Sequence, residues 1–387
     1  MKFRYLGWVA LAATLFGTHA LAGSHLVATL THNSTSAAND QVIVTLTLTN
    51  DGDAPVHIFE PATPFIATGG RLSRDQFHVV DAFGHKAPYR GVWVNWGGMP
   101  ASLFRIVRPG ETLEKTIDLT YEYDYGSGGP FAIRYELSMD WEPDPNQASP
   151  EEIASIVRGD QDSVLSNEIT VMAPAYRDRL ASTLAEPAMC SSDQYDKATR
   201  AWQKASLTAN SAQVFTRDLP KNTSHPRYVK WFGDSTLTHE KDDPDTPGKA
   251  YLDHVKGIVS ATFSRLAFGS FAPLCGCDGW PDATAAHIED RMYYRIFLCP
   301  TFFRQLEDGP SPSRVATLIH EYGHFVGDGR GPSTADYGYG RGKAQGYAIN
   351  DPRTAIRNAD NYEFYITDTT PYDEGDVDTA ENPREED

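Results

Sequence analysis

The stretch Thr317-Leu318-Ile319-His320-Glu321-Tyr322-Gly323-His324-Phe325 reads H-E-x-x-H inside an apolar run. Ser311 and Pro312 offer an N-cap and a first helical residue. Val315, Leu318, Ile319 and Tyr322 recur at helical spacing, which predicts a helix with one buried stripe. On that helix His320 and His324 lie one turn apart on one face, so both imidazoles reach a single metal ion. Glu321, one position on, is placed to polarise a water held in an open coordination position. Together these residues predict one catalytic zinc ion.

The chain has 387 residues, 40% of them hydrophobic, enough for two or three domains with real cores. Its 52 acids against 34 bases leave a net charge of −18, which argues against nucleic acid or an anionic membrane surface as partner. Lys2 and Arg4 precede an apolar run from Tyr5 to Gly17, and Ala20-Leu21-Ala22 has the small-x-small form of a signal-peptidase site. A signal peptide over 1–22 and export are therefore expected. No later run is long enough to span a membrane.

Export decides the reading of Cys190, Cys275, Cys277 and Cys299: two disulfides are expected in an oxidising compartment. Cys275 and Cys277 are too close in sequence to pair comfortably, which leaves two connectivities; Cys190–Cys275 with Cys277–Cys299 is preferred. A four-cysteine zinc knot lacks its pair of C-x-x-C hooks.

From Leu26 to Met172 alternating runs such as Val44, Leu46 and Leu48, with turns such as Asn50-Asp51-Gly52-Asp53, predict short strands. The expected architecture is multidomain α+β. An antiparallel, immunoglobulin-like β-sandwich over 23–173 precedes a mainly helical, zincin-like domain over 190–366. A linker at 174–189 joins them, and an acidic tail at 367–387 follows. The first half clusters no metal-ligand or catalytic residues and is assigned no chemistry; Trp93 and Trp96 are read as core. In the second half Ser191 and Gln194 form a capping box for a helix bearing Tyr195, Ala198, Trp202, Ala205 and Ala209. Further helices are expected over 247–266 and 352–365, and a buried strand over 293–298.

Two histidines need a third protein ligand. Ser333-Thr334-Ala335-Asp336-Tyr337-Gly338-Tyr339-Gly340 begins nine residues past His324. A turn through Gly327, Gly329, Gly331 and Pro332 can bring Asp336 back to complete the set. Tyr339 can then donate a hydrogen bond to the oxyanion that forms when water attacks a peptide carbonyl.

H-E-x-x-H followed by T-x-D-x-x-Y-G resembles the aspzincin metallopeptidases, the family of deuterolysin and peptidyl-lysine metalloendopeptidase. Ser333 stands where the family pattern has Gly; Thr334, Asp336, Tyr339 and Gly340 match. The resemblance covers roughly 190–366 and implies a zinc endopeptidase with ligands His320, His324 and Asp336, base Glu321 and transition-state donor Tyr339. The C-x-C corner and Asn358-Ala359-Asp360-Asn361-Tyr362-Glu363 are similar to the lysine-specific branch, which implies that Asp360 and Glu363 line the pocket for a substrate lysine. A sandwich ahead of this domain is similar to the propeptide arrangement of bacterial relatives.

The expected protein is thus a secreted, monomeric zinc endopeptidase cutting proteins or peptides before lysine, with its own N-terminal domain as intramolecular inhibitor. Two alternatives are a deuterolysin-like enzyme with no lysine preference and a permanent accessory domain, and a non-enzymatic surface-binding protein with a relic metal site. No lysine lies between Lys115 and Lys197, so cutting before lysine cannot release an intact catalytic domain. The releasing cut is expected between Pro174 and Met189, where Arg177 and Arg179 are targets.

Overall fold

The computed structural model describes residues 25–32, 41–66, 71–97, 99–143, 145, 148–159, 161–175, 189–241, 247–269, 271–277, 280, 284–289, 295–309, 311–325 and 334–371. The expected signal peptide, most of the linker and tail, and the turn bearing Gly327, Gly329, Gly331, Pro332 and Ser333 lie outside the described residues.

The first half contains strands β1 (Leu26–His32), β2 (Ile43–Asn50), β3 (Val56–Phe59), β4 (Phe77–Asp81), β5 (Val92–Trp96), β6 (Phe104–Val107), β7 (Thr112–Asp118) and β8 (Gly129–Ser138). A short helix α1 (Pro150–Ser155) and strands β9 (Ser163–Leu165) and β10 (Ile169–Ala173) follow. Strand β2 illustrates why they form. Val44, Leu46 and Leu48 are fully buried, while the alternating threonines face outward and pair Thr45 with Thr116 and Thr49 with Thr112 across β7. The antiparallel sheet β1-β2-β7 and the antiparallel group β10-β8-β4, with β9 on β8, enclose one apolar cluster that includes Leu46, Val79, Ile133 and Tyr135. Strands β3 and β6 form a separate ribbon.

The second half holds α2 (Ser192–Asp218), α3 (Pro226–Phe232), α4 (Tyr251–Phe268), β11 (Ala272–Cys275), β12 (Thr284–Glu289) and β13 (Arg295–Leu298). After these come α5 (Pro300–Arg304), α6 (Arg314–His324), α7 (Arg341–Asn350), α8 (Pro352–Ala355) and α9 (Ala359–Thr367). The capping box forms as expected: Ser191 Oγ accepts from Gln194 N, and Gln194 Oε1 accepts from Ser191 N. Ala198, Ala201, Ala205, Ala209 and Ala212 give α2 a flat, buried face that lets α4 and α6 approach closely, whereas Tyr195 is exposed. The disulfides are Cys190–Cys275 and Cys277–Cys299. They fasten the start of α2 to β11 and the β11 corner to the end of β13. By the chain-entropy argument each contributes roughly 3 to 5 kcal/mol.

Several local expectations shift. Helix α6 starts at Arg314, capped by Ser313 Oγ accepting from Ala316 N; Ser311 and Pro312 lie outside it. Arg314 to Gly323 are all buried, so α6 is a core helix and not one with a single apolar stripe. The last expected helix is two, α8 and α9, because Asn358 leaves the helix and spends its amide on neighbouring backbone. Strand β11 pairs parallel to β13 while β12 pairs antiparallel to it, and the outer edge of β12 is covered by β5 from the other half. The molecule is therefore mixed α/β with several antiparallel sheets and one mixed sheet that spans both halves.

The alanine face of α2 has no room for a larger residue. Ala205→Leu should destabilise the protein by about 1–3 kcal/mol through overpacking, read as a lowered denaturation midpoint with an unchanged slope.

Candidate metal centre

Helix α6 presents His320 and His324 one turn apart, and the segment after the undescribed turn brings Asp336 against both. His320 Nε2 lies 3.0 Å and His324 Nε2 3.3 Å from Asp336 Oδ1. These atoms sit at ion-pair distance without hydrogen-bond alignment, and both Asp336 oxygens and both Nε2 atoms have no hydrogen-bond partner. Polar atoms that converge on a common point instead of bonding one another, in a buried site, fit a cation with nitrogen and oxygen ligands.

Each histidine is oriented from behind. His324 Nδ1 donates to the Thr334 carbonyl at 3.2 Å, leaving Nε2 for a metal. His320 Nδ1 faces Asp360 Oδ1 at 2.9 Å and Glu363 Oε2 at 3.3 Å, both from α9. Asp360 Oδ2 accepts from Gly340 N, so this carboxylate ties His320 to the segment carrying Asp336 and Tyr339. Gly340 has φ of 90°, a conformation that an L side chain would strain.

Burial opposes charge on the His320 imidazole, but Asp336, Asp360 and Glu363 outweigh it and hold its pKa well above the usual histidine range. Asp336 shows the mirror effect: burial raises its pKa, yet the two imidazoles hold it far below the carboxylate range. Glu321 is fully buried with both oxygens unpartnered, and burial pushes its carboxyl well up. Burial without a hydrogen-bond donor raises the proton affinity of this carboxyl, the property a general base needs.

Tyr339 stacks on His320, with ring centroids 5.7 Å apart, and its hydroxyl donates to the Val94 carbonyl at 2.5 Å. Val94 belongs to β5, so the first half, which holds none of the clustered ligands, enters the site through its backbone. Trp93, read as core from sequence, stacks its ring on His324 at 5.4 Å and 14°. Further contacts reinforce the junction: Trp141 stacks on Tyr339, and Lys343 Nζ pairs with Asp140. A cavity of about 840 Å³ remains beside β5, lined by Asn95, Asp360 and Glu363 among others.

Two further residues are missed by a search for ligands. Buried Asn358 accepts from Tyr337 N and Gly338 N and donates to Gly338 O and Asn361 Oδ1. Asn361 in turn donates to the carbonyls of Trp231 and Ala344. Ala335 N donates to Arg357 O and Ala359 N to Ala335 O, completing the clamp on Asp336. The N-x-x-N spacing inside Asn358–Asn361 is the available signal. Cys277, His287 and Cys299 also meet, but the two sulfurs are bonded to each other, which leaves no thiolate for a metal.

Residues 219–367 match the aspzincin family model, described as lysine-specific metallo-endopeptidase. The peptidyl-Lys metalloendopeptidase of Pleurotus ostreatus is 30% identical over 176 residues, covering 46% of this chain and 92% of that protein. The chain belongs to the aspzincin family. This aspzincin is accordingly a zinc metalloendopeptidase. An extracellular protease of Aeromonas hydrophila is 27% identical over 376 residues, 93% of this chain and 96% of its own length. The peptidyl-Lys metalloendopeptidase of Grifola frondosa is 26% identical over 340 residues, 84% of this chain and 88% of its own. No helix among the described residues is long and apolar enough to cross a membrane.

Asn358→Ala should leave the N–H groups of Tyr337 and Gly338 and the acceptors Gly338 O and Asn361 Oδ1 without this partner, at about 1–3 kcal/mol for each buried group left unpaired. The expected outcome is weaker metal retention in dialysis against a chelator, together with a lower melting temperature of the metal-free protein.

Proposed function

We propose that this aspzincin is an exported endopeptidase that cuts on the N-terminal side of lysine and is made as a precursor, with residues 23–173 as inhibitory domain and 190–366 as catalytic domain. The observation that carries the chemistry is the convergence of His320, His324 and Asp336 next to a buried, unpartnered Glu321. The first three hold one zinc ion in this reading. Zinc bound there supplies Lewis-acid polarisation of the substrate carbonyl and of water. Glu321 takes the proton from the attacking water and passes it to the leaving amine, and the Tyr339 hydroxyl donates to the developing oxyanion.

The lysine preference is supported by two buried carboxylates in one cavity and by the names of the fungal relatives. The two acids differ in what they have to spare. Asp360 uses one oxygen on His320 and the other on Gly340 N, whereas Glu363 meets His320 through Oε2 alone. Glu363 is therefore the main ammonium partner, and Asp360 chiefly positions His320. The precursor reading is supported by β5, which lies across the site with Tyr339 bonded to its backbone. Export is supported by the leader-like N-terminus and the extracellular Aeromonas relative.

Glu321→Ala should retain stoichiometric zinc by metal analysis while hydrolysis of a lysine-containing peptide falls to background; loss of the metal from this variant would remove the base assignment. Glu363→Gln should lower kcat/KM for lysine substrates roughly ten- to a hundredfold, the worth of one charge-assisted hydrogen bond, with zinc retained. An unchanged cleavage-site profile in a denatured protein digest would refute the pocket.

A further inference from the structure

We propose that β5 occupies the site as a substrate in register, with Val94–Asn95 where the scissile bond lies, and that asparagine in place of lysine at 95 is what spares it. This rests on the precursor reading above and specifies how that inhibition works.

Three observations fix the register independently. The first is backbone pairing. β5 lies antiparallel on the outer edge of β12, with Trp93 opposite Ile288, Val94 opposite His287 and Asn95 opposite Ala286. An extended segment added to an exposed sheet edge is a general way of binding peptides: the main chain supplies affinity and alternate side chains supply specificity. The second is the hydroxyl of Tyr339. As the donor to a developing oxyanion it marks the carbonyl under attack, and the carbonyl it holds is that of Val94. The third is side-chain alternation. Trp93 and Asn95 face the site, Trp93 stacked on His324 and Asn95 lining the cavity with Asp360 and Glu363. Val92 and Val94 turn the other way, into a cluster with Phe59, Phe104 and Trp141, while Trp96, where the pairing with β12 becomes irregular, borders both that cluster and the cavity. The residue after the marked carbonyl thus lines the cavity that the two acids also line, as a substrate lysine should.

Asn95 cannot supply what that cavity lacks. Its neutral amide brings no cation to Asp360 and Glu363, so the interaction that selects a lysine substrate is missing from the bound strand. The strand is held instead by its neighbours in the fold, through Trp93, Trp96 and the Trp141–Tyr339 stack.

The test is Asn95→Lys in the zinc-loaded full-length chain. Self-hydrolysis should then break the C–N bond between Val94 and the introduced lysine with one water: its oxygen joins the Val94 carbonyl carbon as carboxylate, and the nitrogen of residue 95 leaves as the amine. A fragment beginning at position 95 should appear in N-terminal sequencing of this variant. No such fragment should appear with Asn95→Gln, or when Glu321→Ala is added. Binding is read separately by hydrogen exchange in the uncleavable Glu321→Ala chain. There Asn95→Lys should raise protection of the 92–96 amides about tenfold or more, the worth of a charge-assisted bond, and Asn95→Asp should lower it. Adding Glu363→Gln should abolish the gain. Absence of the position-95 fragment from the Asn95→Lys chain, or a strand loosened by lysine as much as by aspartate, overturns the register. Wild-type precursor is assayed alongside on an external lysine peptide. Turnover equal to that of the linker-cut form would sink the precursor reading itself; a silent precursor whose Asn95→Lys variant stays uncut after Val94 sinks only this inference.

Discussion

Four carboxylates and two imidazoles are buried together at the end of α6, and that concentration of charge is the constraint the rest of the structure answers. Asp336, Asp360, Glu321 and Glu363 are each under 5% exposed. An isolated buried carboxylate is costly enough that it normally finds a partner or takes up a proton. Here the imidazoles can neutralise only part of the set, and the unpartnered atoms face one another. A divalent cation relieves this directly, which is why the donor set reads as a metal site and not as an ion-pair network. The surrounding fold then serves to keep the acids from relaxing away: Asn358 and Asn361 hold the Asp336 segment, and Gly340 N holds Asp360.

A second constraint comes from the sheet. β12 has β13 on one side, and its other edge lies beside the site. Exposed edges recruit strands, so an edge next to a protease centre is both a substrate platform and a hazard. In this molecule β5 fills it. The two halves of the chain therefore meet through a shared sheet as well as through side chains, and in the proposed precursor that sheet contact takes the place of substrate backbone. In the proposed precursor a substrate must first displace this strand.

The legible and illegible parts of this structure divide by the range of the interactions that make them. His320, Glu321 and His324 are readable because helical spacing turns a local pattern into a shared face. Asp336 and Tyr339 follow from a short motif nearby. The capping box of α2 is equally local. The cap of α6 lies two residues beyond its expected place because two serines flank Pro312, and only packing decides which hydroxyl turns toward Ala316 N. The role of β5 lies beyond such reading. Its pairing with β12 joins residues nearly two hundred positions apart, and Val-Trp-Val-Asn-Trp has the pattern of an ordinary buried strand. Asn358 opens a recognisable motif, yet its work is done on backbone groups that no side-chain pattern announces. The disulfide pairing, open between two connectivities in the sequence, is closed only by the approach of β11 to the start of α2.

In the proposed precursor, the linkage of the halves sets how inhibition can end. While the chain is continuous, β5 stands near its edge at an effective concentration of order mM, so even weak strand pairing keeps it docked. A cut between Pro174 and Met189 leaves Cys190 bound to Cys275, so the catalytic half keeps its α2 anchor. The same cut turns β5 into a separate ligand that can leave and be diluted. A lysine at 95 would add a strong local contact and slow that departure; asparagine leaves the strand held by tethering more than by recognition. Strand pairing that suffices within one molecule and fails between two is the physical condition for a precursor that one distant cut can open.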